Sequence, residues 1–523
     1  MGDTLPLAAD AEPPSESDDA HAKHVQHLVN ISNTGDIILS VTFLTSSATL
    51  KRARKAALRK AAPVGPPAHH HENTSTRAVL AAKLTIPYRV SLASLTKHSL
   101  YFRNLLTNPS FQEAQRISST HAALVARGTP PSKASPLHLP WVSITDDDEA
   151  TQTASRQEPL EDMLRIMHGL PIVRGKTAGA GAGAIAGAGA GAPAAAAASR
   201  VTSISYVTTL AIIADRFDST PIVTRGLADL KFKWPITSTR PYVDEAGRAT
   251  DVEAALRQKI LLAWLLNQPL RLHRESRELI IRGSRLWGAY PPDGEDEADL
   301  AAAWWNLPEG IEEELRHRRY CILHTISSIQ RHFLAQYSSR HRQCKLGYDS
   351  SAACDSFQLG QILKFLLSRD LLSLADYAPS SLDSLPDRSC LLDIDDLLAT
   401  LKQCPNYQVD KHHLNCGLRI RIDPILDYVK AMLAASVVSL PLADWKNRRG
   451  DVSWVVDRRA TTKTRGGHNT MSSRSTEDDE KNVFAFTRSL ASDERLRYEG
   501  TMHADGMARR LFTAEEWDWT PEG

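Results

Sequence analysis

Residues 84–114 have the sequence LTIPYRVSLASLTKHSLYFRNLLTNPSFQEA, and this stretch contains the clearest structural pattern in a chain of 523 residues. Ile86, Tyr88 and Val90 alternate with less apolar residues, which predicts a half-buried strand. From Leu92 to Leu106 apolar residues recur at spacings of three and four, which predicts two short amphipathic helices or one bent helix.

Further elements are predicted on both sides of this stretch. Upstream, a strand opens at Gly35-Asp36, with Ile37, Leu39, Val41 and Phe43 on one face. Downstream we expect a short strand at Pro136–Pro140 and an acidic turn at residues 146–148. Two helical stripes follow, one formed by Leu160, Met163, Leu164 and Met167, the other by Val207, Leu210, Ala211, Ala214 and Phe217.

Several of these segments carry a resemblance to one family. Tyr88-Arg-Val90 followed by Leu95, then SLYFRNLL from Ser99 to Leu106 and FQE from Phe111, resembles the core of a BTB/POZ domain. Ser91 stands where the family usually has histidine, and Leu100 where it usually has proline. The helix that ends in His168-Gly169 and the helix SYVTTLAIIADRFD are similar to further family segments in the right order. The second half is similar to the helical region that follows the BTB domain in fungal proteins.

The resemblance implies an α+β BTB/POZ-like domain, a small mixed sheet flanked by helices, followed by an all-α C-terminal domain. We therefore expect the following organisation of the chain: a disordered leader at 1–30; a BTB/POZ-like domain at 31–235 with insertions at 44–83, 115–134 and 174–200; a helical domain at 236–440; and a largely disordered tail at 441–523. Within the second half, Ile311 to about Arg340 is predicted to form one long helix. The closing segment RRLFTAEEWDWTPEG either docks on the helices or acts as a partner peptide.

Composition limits the classes of function. Lys plus Arg number 62 and Asp plus Glu 61, and the resulting formal net charge of +1 offers no footprint for nucleic acid or membrane. The N-terminus lacks the apolar segment of a secretory signal, and the six cysteines are expected to be free thiols. These features favour a cytoplasmic or nuclear location.

Motif searches give no support for catalysis. The chain contains no G-x-S-x-G, no P-loop and no H-E-x-x-H motif, so the protein is expected not to be an enzyme and to need no cofactor. The resemblance implies instead that it binds protein partners, through self-association as a homodimer or through recruitment of a cullin ubiquitin ligase scaffold. It places the contact residues at Asn104, Phe111, Ile144 and Asp146.

Two alternatives stay open. One is a nuclear transcriptional co-regulator, with the basic run Lys51–Lys60 as a nuclear signal; a solvated, disordered loop is the competing explanation for that run. The other is a metal-dependent enzyme or a zinc-stabilised domain in the helical half. Its candidate ligands are Cys404, His412, His413 and Cys416, with Cys344 and Cys354 as further candidates in space, and buried free cysteines with a surface histidine pair as the competing explanation. Three consecutive histidines, His69–His71, lack a fixed set of further ligands.

Overall fold

The computed structural model describes residues 27–61, 81–172, 203–229, 233–235, 238–288, 301–347, 349–372, 387–433, 435–455, 482–493 and 504–520. The chain divides into two compact units, Met1–Ser238 with Asp296–Trp305, and Thr239–Glu295 with Asn306–Gly523. The predicted α+β class is confirmed: a small mixed sheet and its helices form the first unit, and the second unit is mainly helical. In the part of the chain described, no helix is long and apolar enough to cross a membrane.

The sheet of the first unit contains four strands: β1 (Val29–Asn30), β2 (Ile37–Leu44), β3 (Lys83–Val90) and β4 (Trp141–Asp147). Their order is β1-β3-β2-β4, with β2 antiparallel to β3 and parallel to β4. The predicted alternation on β2 is confirmed, since Ile37, Leu39, Val41 and Phe43 are all buried. Ile38 lies on the opposite face and is buried as well, in a second small core with Leu124 and Trp141. Both faces of this end of the sheet are therefore covered.

Seven α-helices accompany the sheet in the described part of the first unit. They are α1 (Ser47–Ala61), α2 (Leu92–His98), α3 (Leu100–Thr107), α4 (Gln112–Ala126), α5 (Gln157–Met167), α6 (Ile204–Arg216) and α7 (Thr220–Asp229). The predicted bend after β3 is a break between α2 and α3 at Ser99, whose side chain accepts a hydrogen bond from the Phe102 N–H and donates one to the Phe217 carbonyl. The Phe102 and Phe217 rings stack with centroids 5.3 Å apart. One serine thus caps α3 and joins it to the end of α6.

Two sequence expectations about this unit are wrong. Residues 136–140 contain a short 3₁₀ helix, Pro136–His138, and the strand comes just after it at Trp141–Asp147, so Asp146 and Asp147 lie in the strand rather than in a turn. Proline lacks the N–H that a central strand position would use, which explains the shift. Much of the expected polar insertion at 115–134 lies in α4, where Ile117 and Leu124 are buried.

The basic run is helical where a disordered loop was the favoured explanation. Lys51–Lys60 lies within α1, and Leu50 just before it is buried. The Asp148 carboxylate accepts hydrogen bonds from the Ser46 N–H and hydroxyl, both 2.9–3.2 Å away, and so fixes the start of the helix. The remainder of the insertion, residues 62–80 with His69–His71, lies outside the described residues, as does the Ala/Gly run at 178–199.

The second unit contains eleven helices in its described part: α8 (Val252–Leu265), α9 (Pro269–Arg282), α10 (Ile311–Ser338), α11 (Ser351–Ser368), α12 (Asp387–Cys390), α13 (Ile394–Leu401), α14 (Leu418–Met432), α15 (Ala435–Val438), α16 (Leu442–Val452), α17 (Arg488–Ser492) and α18 (Ala504–Phe512). Strands β5 (Val483–Ala485) and β6 (Glu516–Asp518) pair in parallel, so the second unit is not all-α as the resemblance implies. The long helix predicted from Ile311 is α10, and its apolar side chains at Ile322, Ile326 and Ile329 are fully buried.

Two buried arginines connect α10 to chain segments far away in sequence. Arg318 donates to the carbonyls of Val438, Ser439 and Val452 at 2.8–2.9 Å. Arg319 donates to four carbonyls, those of Ile280, Ile281, Ser389 and Leu392, at 2.5–2.8 Å. Main-chain oxygens that end helices and turns would otherwise be buried without donors, so each guanidinium satisfies several at once.

The C-terminal segment docks on the helices, which decides between the two alternatives left by the sequence. Trp519 is fully buried, and its indole N–H donates to the Ser328 hydroxyl of α10 at 2.9 Å. Phe512 stacks on Trp454, with ring centroids 5.6 Å apart. Parts of the expected disordered tail at 441–523 are therefore structured, while residues 456–481 lie outside the described residues.

Candidate functional site

Helix α3 carries a solvent-exposed face in the first unit. Leu100, Asn104 and Thr107 are spaced by four and three residues and are all exposed, so they lie on one side of the helix. Leu100 is 50% exposed and Phe111, just beyond the helix, is 41% exposed. Two of the predicted contact residues, Asn104 and Phe111, are thus accessible. We call Leu100, Tyr101, Asn104, Thr107 and Phe111 the α3 surface.

The other two predicted contact residues are not accessible. Ile144 is buried on β4, and Asp146 is 1% exposed. The Asp146 carboxylate is paired with Arg156 through Nε at 2.6 Å and with Arg216 through one terminal nitrogen at 2.5 Å. Arg156 is itself fully buried and also donates to the Leu44 carbonyl at 2.6 Å. Asp146 therefore joins β4 to α6 and to the end of β2, and its carboxylate is not exposed for contact with a partner.

Four potential metal ligands meet in the second unit. The side chains of Cys344, Cys354, His413 and Cys416 are all buried, and their ligand atoms lie within 4.8 Å of one another. Cys344 Sγ is 3.7 Å from Cys416 Sγ and 3.4 Å from His413 Nδ1, and Cys416 Sγ is 3.9 Å from the same nitrogen. Thiol sulfur and imidazole nitrogen are the ligands that zinc prefers. We call these four residues the Cys3His cluster.

The chain on both sides of Cys344 is fixed by α11. The Asp355 carboxylate accepts hydrogen bonds from the Gln343 N–H at 2.8 Å and from the Cys344 N–H at 2.9 Å. Since Cys354 lies next to Asp355 on the same helix, one turn of α11 supplies one cluster sulfur and holds the segment that supplies another. Arg421 of α14 donates to the Gln343 carbonyl at 2.9 Å and completes this support.

His413 and Cys416 come from one tight turn before α14. Asp410 accepts hydrogen bonds from the backbone N–H groups of His412 and His413, and Asn415 has a positive φ of 66°. Asparagine tolerates this left-handed conformation better than most residues. The Cys416 carbonyl accepts a hydrogen bond from the Tyr337 hydroxyl at 3.2 Å. The turn thus directs residues three apart, His413 and Cys416, to the same point.

The environment of the cluster shifts the pKa values of its thiols in different directions. Burial disfavours ionisation of Cys344, but the polar groups around its sulfur, Ser351 first, lower its pKa to about 7. Burial, with the neighbouring Cys416 and Cys344, raises the pKa of Cys354 to about 12. Burial also raises the pKa of Cys416. Polar groups in the cluster therefore favour negative charge on one sulfur most strongly.

The structure brings together part of the candidate ligand set. His413 and Cys416 belong to the cluster, and Cys344 and Cys354 join them in space as the sequence allowed. Cys404 and His412 do not belong to it: Cys404 lines an apolar cavity with Phe333 and Ile362, and His412 is exposed. His412 is exposed and His413 is buried, so only one of the two adjacent histidines is directed inward. The H-x-x-C spacing of His413 and Cys416 is a signal in the sequence that could have separated them from Cys404 and His412.

The chain was compared with protein-family models, curated proteins and solved structures, and none of the three comparisons found a match.

Proposed function

We propose that the protein is a non-enzymatic interaction protein whose first unit, a BTB/POZ-like domain, associates with a second copy of the chain. The observation that carries this proposal is the exposure of the α3 surface. Leu100, Tyr101 and Phe111 present apolar and aromatic area to solvent within a dozen residues. Aromatic anchors surrounded by polar residues are typical of protein interfaces.

The packing of Tyr101 against two buried rings suits it to a role as an interface anchor. Its ring packs edge-on against Phe102 and against Phe217, with both centroid distances 5.3 Å, while 38% of the residue remains exposed. Two buried aromatic rings thus hold the exposed one in place. A side chain that is already ordered loses little conformational entropy when a partner binds.

The charge of the α3 surface favours a second copy as the occupant. None of its five residues is charged. The exposed Arg103 shares the face of α3 with Leu100, Asn104 and Thr107, but its guanidinium is held towards α2 by a hydrogen bond to the Thr96 carbonyl at 3.0 Å. In a symmetric dimer, two identical surfaces meet across a two-fold axis. Each charged side chain would then face the same side chain of the other copy, or one close to it. An uncharged surface avoids that repulsion, so it is compatible with itself.

The test is the mass of the full-length chain in solution, measured by light scattering after size exclusion over a range of concentrations. We expect the wild-type chain to have the mass of two copies. Leu100→Arg places two like charges at the proposed interface, and we expect it to shift the mass to one copy or to weaken association at least about tenfold.

Leu270→Arg is the matched control, because Leu270 is 83% exposed and lies in the second unit. It should leave the mass of two copies unchanged. A wild-type chain that remains a single copy at every concentration would overturn self-association. A dimer equally sensitive to both arginine substitutions would mean that the α3 surface is not the interface.

A cullin N-terminal fragment, added to the same experiment, tests the partner that the resemblance implies. Since Asp146 and Ile144 are buried, any complex should depend on Phe111 and Asn104 rather than on them. We propose a reducing compartment, cytoplasm or nucleus, as the location. The six cysteines all lie in the described part of the chain, and each is a free thiol, which supports this assignment.

A further inference from the structure

We propose that the Cys3His cluster binds one Zn²⁺ ion that stabilises the second unit, with Cys344, Cys354 and Cys416 as thiolate ligands and His413 Nδ1 as the fourth ligand. This site is separate from the α3 surface and does not depend on self-association.

The distances that join Cys344, Cys416 and His413 are close to those of a tetrahedral site. With zinc–sulfur bonds of about 2.3 Å and zinc–nitrogen bonds of about 2.0–2.1 Å, ligand atoms of a tetrahedron lie about 3.8 Å apart for two sulfurs and about 3.6 Å apart for sulfur and nitrogen. The corresponding separations here are 3.7 Å between the Cys344 and Cys416 sulfurs, and 3.4 and 3.9 Å from these sulfurs to His413 Nδ1. Cys354 Sγ lies within 4.8 Å of these three atoms, so a movement of about 1 Å at most brings it into the fourth position.

The second nitrogen of His413 is placed as metal-binding histidines require. Nε2 lies 2.9 Å from the Ser350 hydroxyl. A ligating imidazole usually donates its other N–H to a nearby oxygen, which fixes the ring and its tautomer. With Nδ1 directed at the sulfurs, Nε2 carries the proton and donates it to Ser350.

The ligand set selects zinc over the harder cations. Three thiolates and one imidazole suit a borderline-soft ion in tetrahedral geometry, whereas magnesium and calcium require oxygen ligands. Three thiolates with Zn²⁺ leave one net negative charge. The Arg421 guanidinium, bound to the Gln343 carbonyl beside Cys344, places a positive charge close to the cluster and offsets it.

The site is closed, which indicates a structural ion. Four protein ligands complete a tetrahedron, and His413 and Cys354 are at most 1% exposed, so no position remains for water or substrate. The ligands come from the loop before α11, from α11 itself and from the turn before α14. One ion would thus connect three segments that span residues 344–416.

The first measurement is the metal content of the full-length chain, purified without a histidine tag and dialysed against metal-free buffer. We expect one zinc per chain by mass spectrometry of the elements. Replacing zinc by Co²⁺ should give the visible absorption of a tetrahedral site and a sulfur-to-cobalt charge-transfer band. A content below about one zinc in ten chains, with no rise in melting temperature on adding Zn²⁺, would overturn the proposal.

Variants identify the ligands. Cys354→Ser and Cys416→Ser should each lower the charge-transfer band by about a third or abolish cobalt binding. Cys404→Ser is the matched control, because Cys404 is equally buried and lies outside the cluster, and it should retain full zinc content and the full band. If a ligand variant fails to fold, the intensity of the sulfur-to-cobalt band in the wild-type chain still gives the number of thiolate ligands.

Adventitious binding by the consecutive histidines is tested separately. A chain with His69→Ala, His70→Ala and His71→Ala should keep its one zinc and its cobalt spectrum. Zinc that is lost with these three histidines, or a cobalt spectrum without thiolate bands, would assign the metal to another site and overturn the proposal.

Discussion

Gly283 occupies a position in the second unit that a larger residue cannot take. Its φ is 80° and its ψ is −166°, a region of the backbone map that is essentially restricted to glycine. A Cβ atom at this position would lie 1.8 Å from the Cys390 carbonyl oxygen. That same carbonyl accepts a hydrogen bond from the Ser284 N–H at 3.1 Å, so the close approach is part of the packing between two segments.

We expect Gly283→Ala to destabilise the second unit by at least about 3 kcal/mol, from the strained backbone and the displaced Cys390. The measurement is the denaturant midpoint of the full-length chain, followed by circular dichroism. Gly360→Ala is the control, and we expect it to change the free energy of unfolding in the opposite direction. Gly360 lies inside α11 with open space where a Cβ would be, so alanine should stabilise the helix by about 0.5–1 kcal/mol. Equal effects of the two substitutions would contradict this account.

The sequence separates these two glycines only in part. Gly283 follows Arg282 directly and is thus a candidate helix end, whereas Gly360 lies within an apolar helical pattern, but neither stretch shows whether a side chain would clash. Only the position of Cys390, more than a hundred residues away, makes one of them indispensable. The same holds for the cluster: His413 and Cys416 are visible as a spaced pair, but their convergence with Cys344 and Cys354 depends on how α11 and α14 pack.

At the scale of elements, the docking of β6 on α10 involves two histidines. His324 packs edge-on against Trp517, with centroids 4.9 Å apart, and His332 Nε2 lies 3.1 Å from the Thr520 hydroxyl. Burial, with a contribution from Arg331, lowers the pKa of His324 to about 4. Burial also lowers the pKa of His332, against the attraction of Asp518. The docked environment therefore favours the neutral form of both side chains.

Acid should release the C-terminal segment. The folded-state pKa of His324 lies below its unfolded value of about 6.5, so the stability present above that pH is lost as the pH falls towards 4. Allowing for partial exposure, we expect His324 to contribute about 1–2 kcal/mol to this loss. The measurement is hydrogen exchange at residues 516–520, corrected for intrinsic rates, at about pH 7.5 and about pH 5.

His324→Phe keeps a ring against Trp517 and removes its titration, so the variant should retain more protection at the lower pH than the wild-type chain. Equal loss of protection in both chains would assign the acid sensitivity to other groups. Leu346→Ala, at an exposed position away from this contact, serves as the control for substitution itself.

Helices with a regular apolar pattern were predictable, and helices rich in charged residues were not. The stripes of α5, α6 and α10 match the structure because each buries one face in a core, and burial selects the spacing. α1 and the tail helix α18 were missed for a different reason. Their sequences are rich in charged residues, and tertiary contacts such as Asp148 with Ser46 or Phe512 with Trp454 determine whether they fold.

At the scale of the whole molecule, each unit has its own buried core. The proposed zinc ligands all belong to the second unit, so removal of the ion should destabilise that unit alone. We expect a chelator to lower the melting temperature of one transition by several degrees and to leave the other unchanged.

Hydrogen exchange assigns the transitions in this experiment. Protection at β2 and β3 should persist in chelator, while protection in α11 and α14 should fall. The Cys416→Ser variant should show the lowered transition without chelator and no further response to it. A uniform loss of protection across both units would contradict the assignment of the ion to the second unit.

The hydrogen bonds of Arg318 and Arg319 have a consequence for when the second unit can pack during synthesis on the ribosome. Helix α10 emerges long before its last carbonyl partners, since Leu392 and Val452 follow Arg319 and Arg318 by 73 and 134 residues. Before those carbonyls arrive, Arg318 has its ion pair with Glu314 and Arg319 has the carbonyls of Ile280 and Ile281, so only part of the hydrogen bonding of each guanidinium is available. Burying α10 at that stage would cost the hydration of the remaining N–H groups. We therefore expect the second unit to complete its packing only after residue 452 has left the exit tunnel.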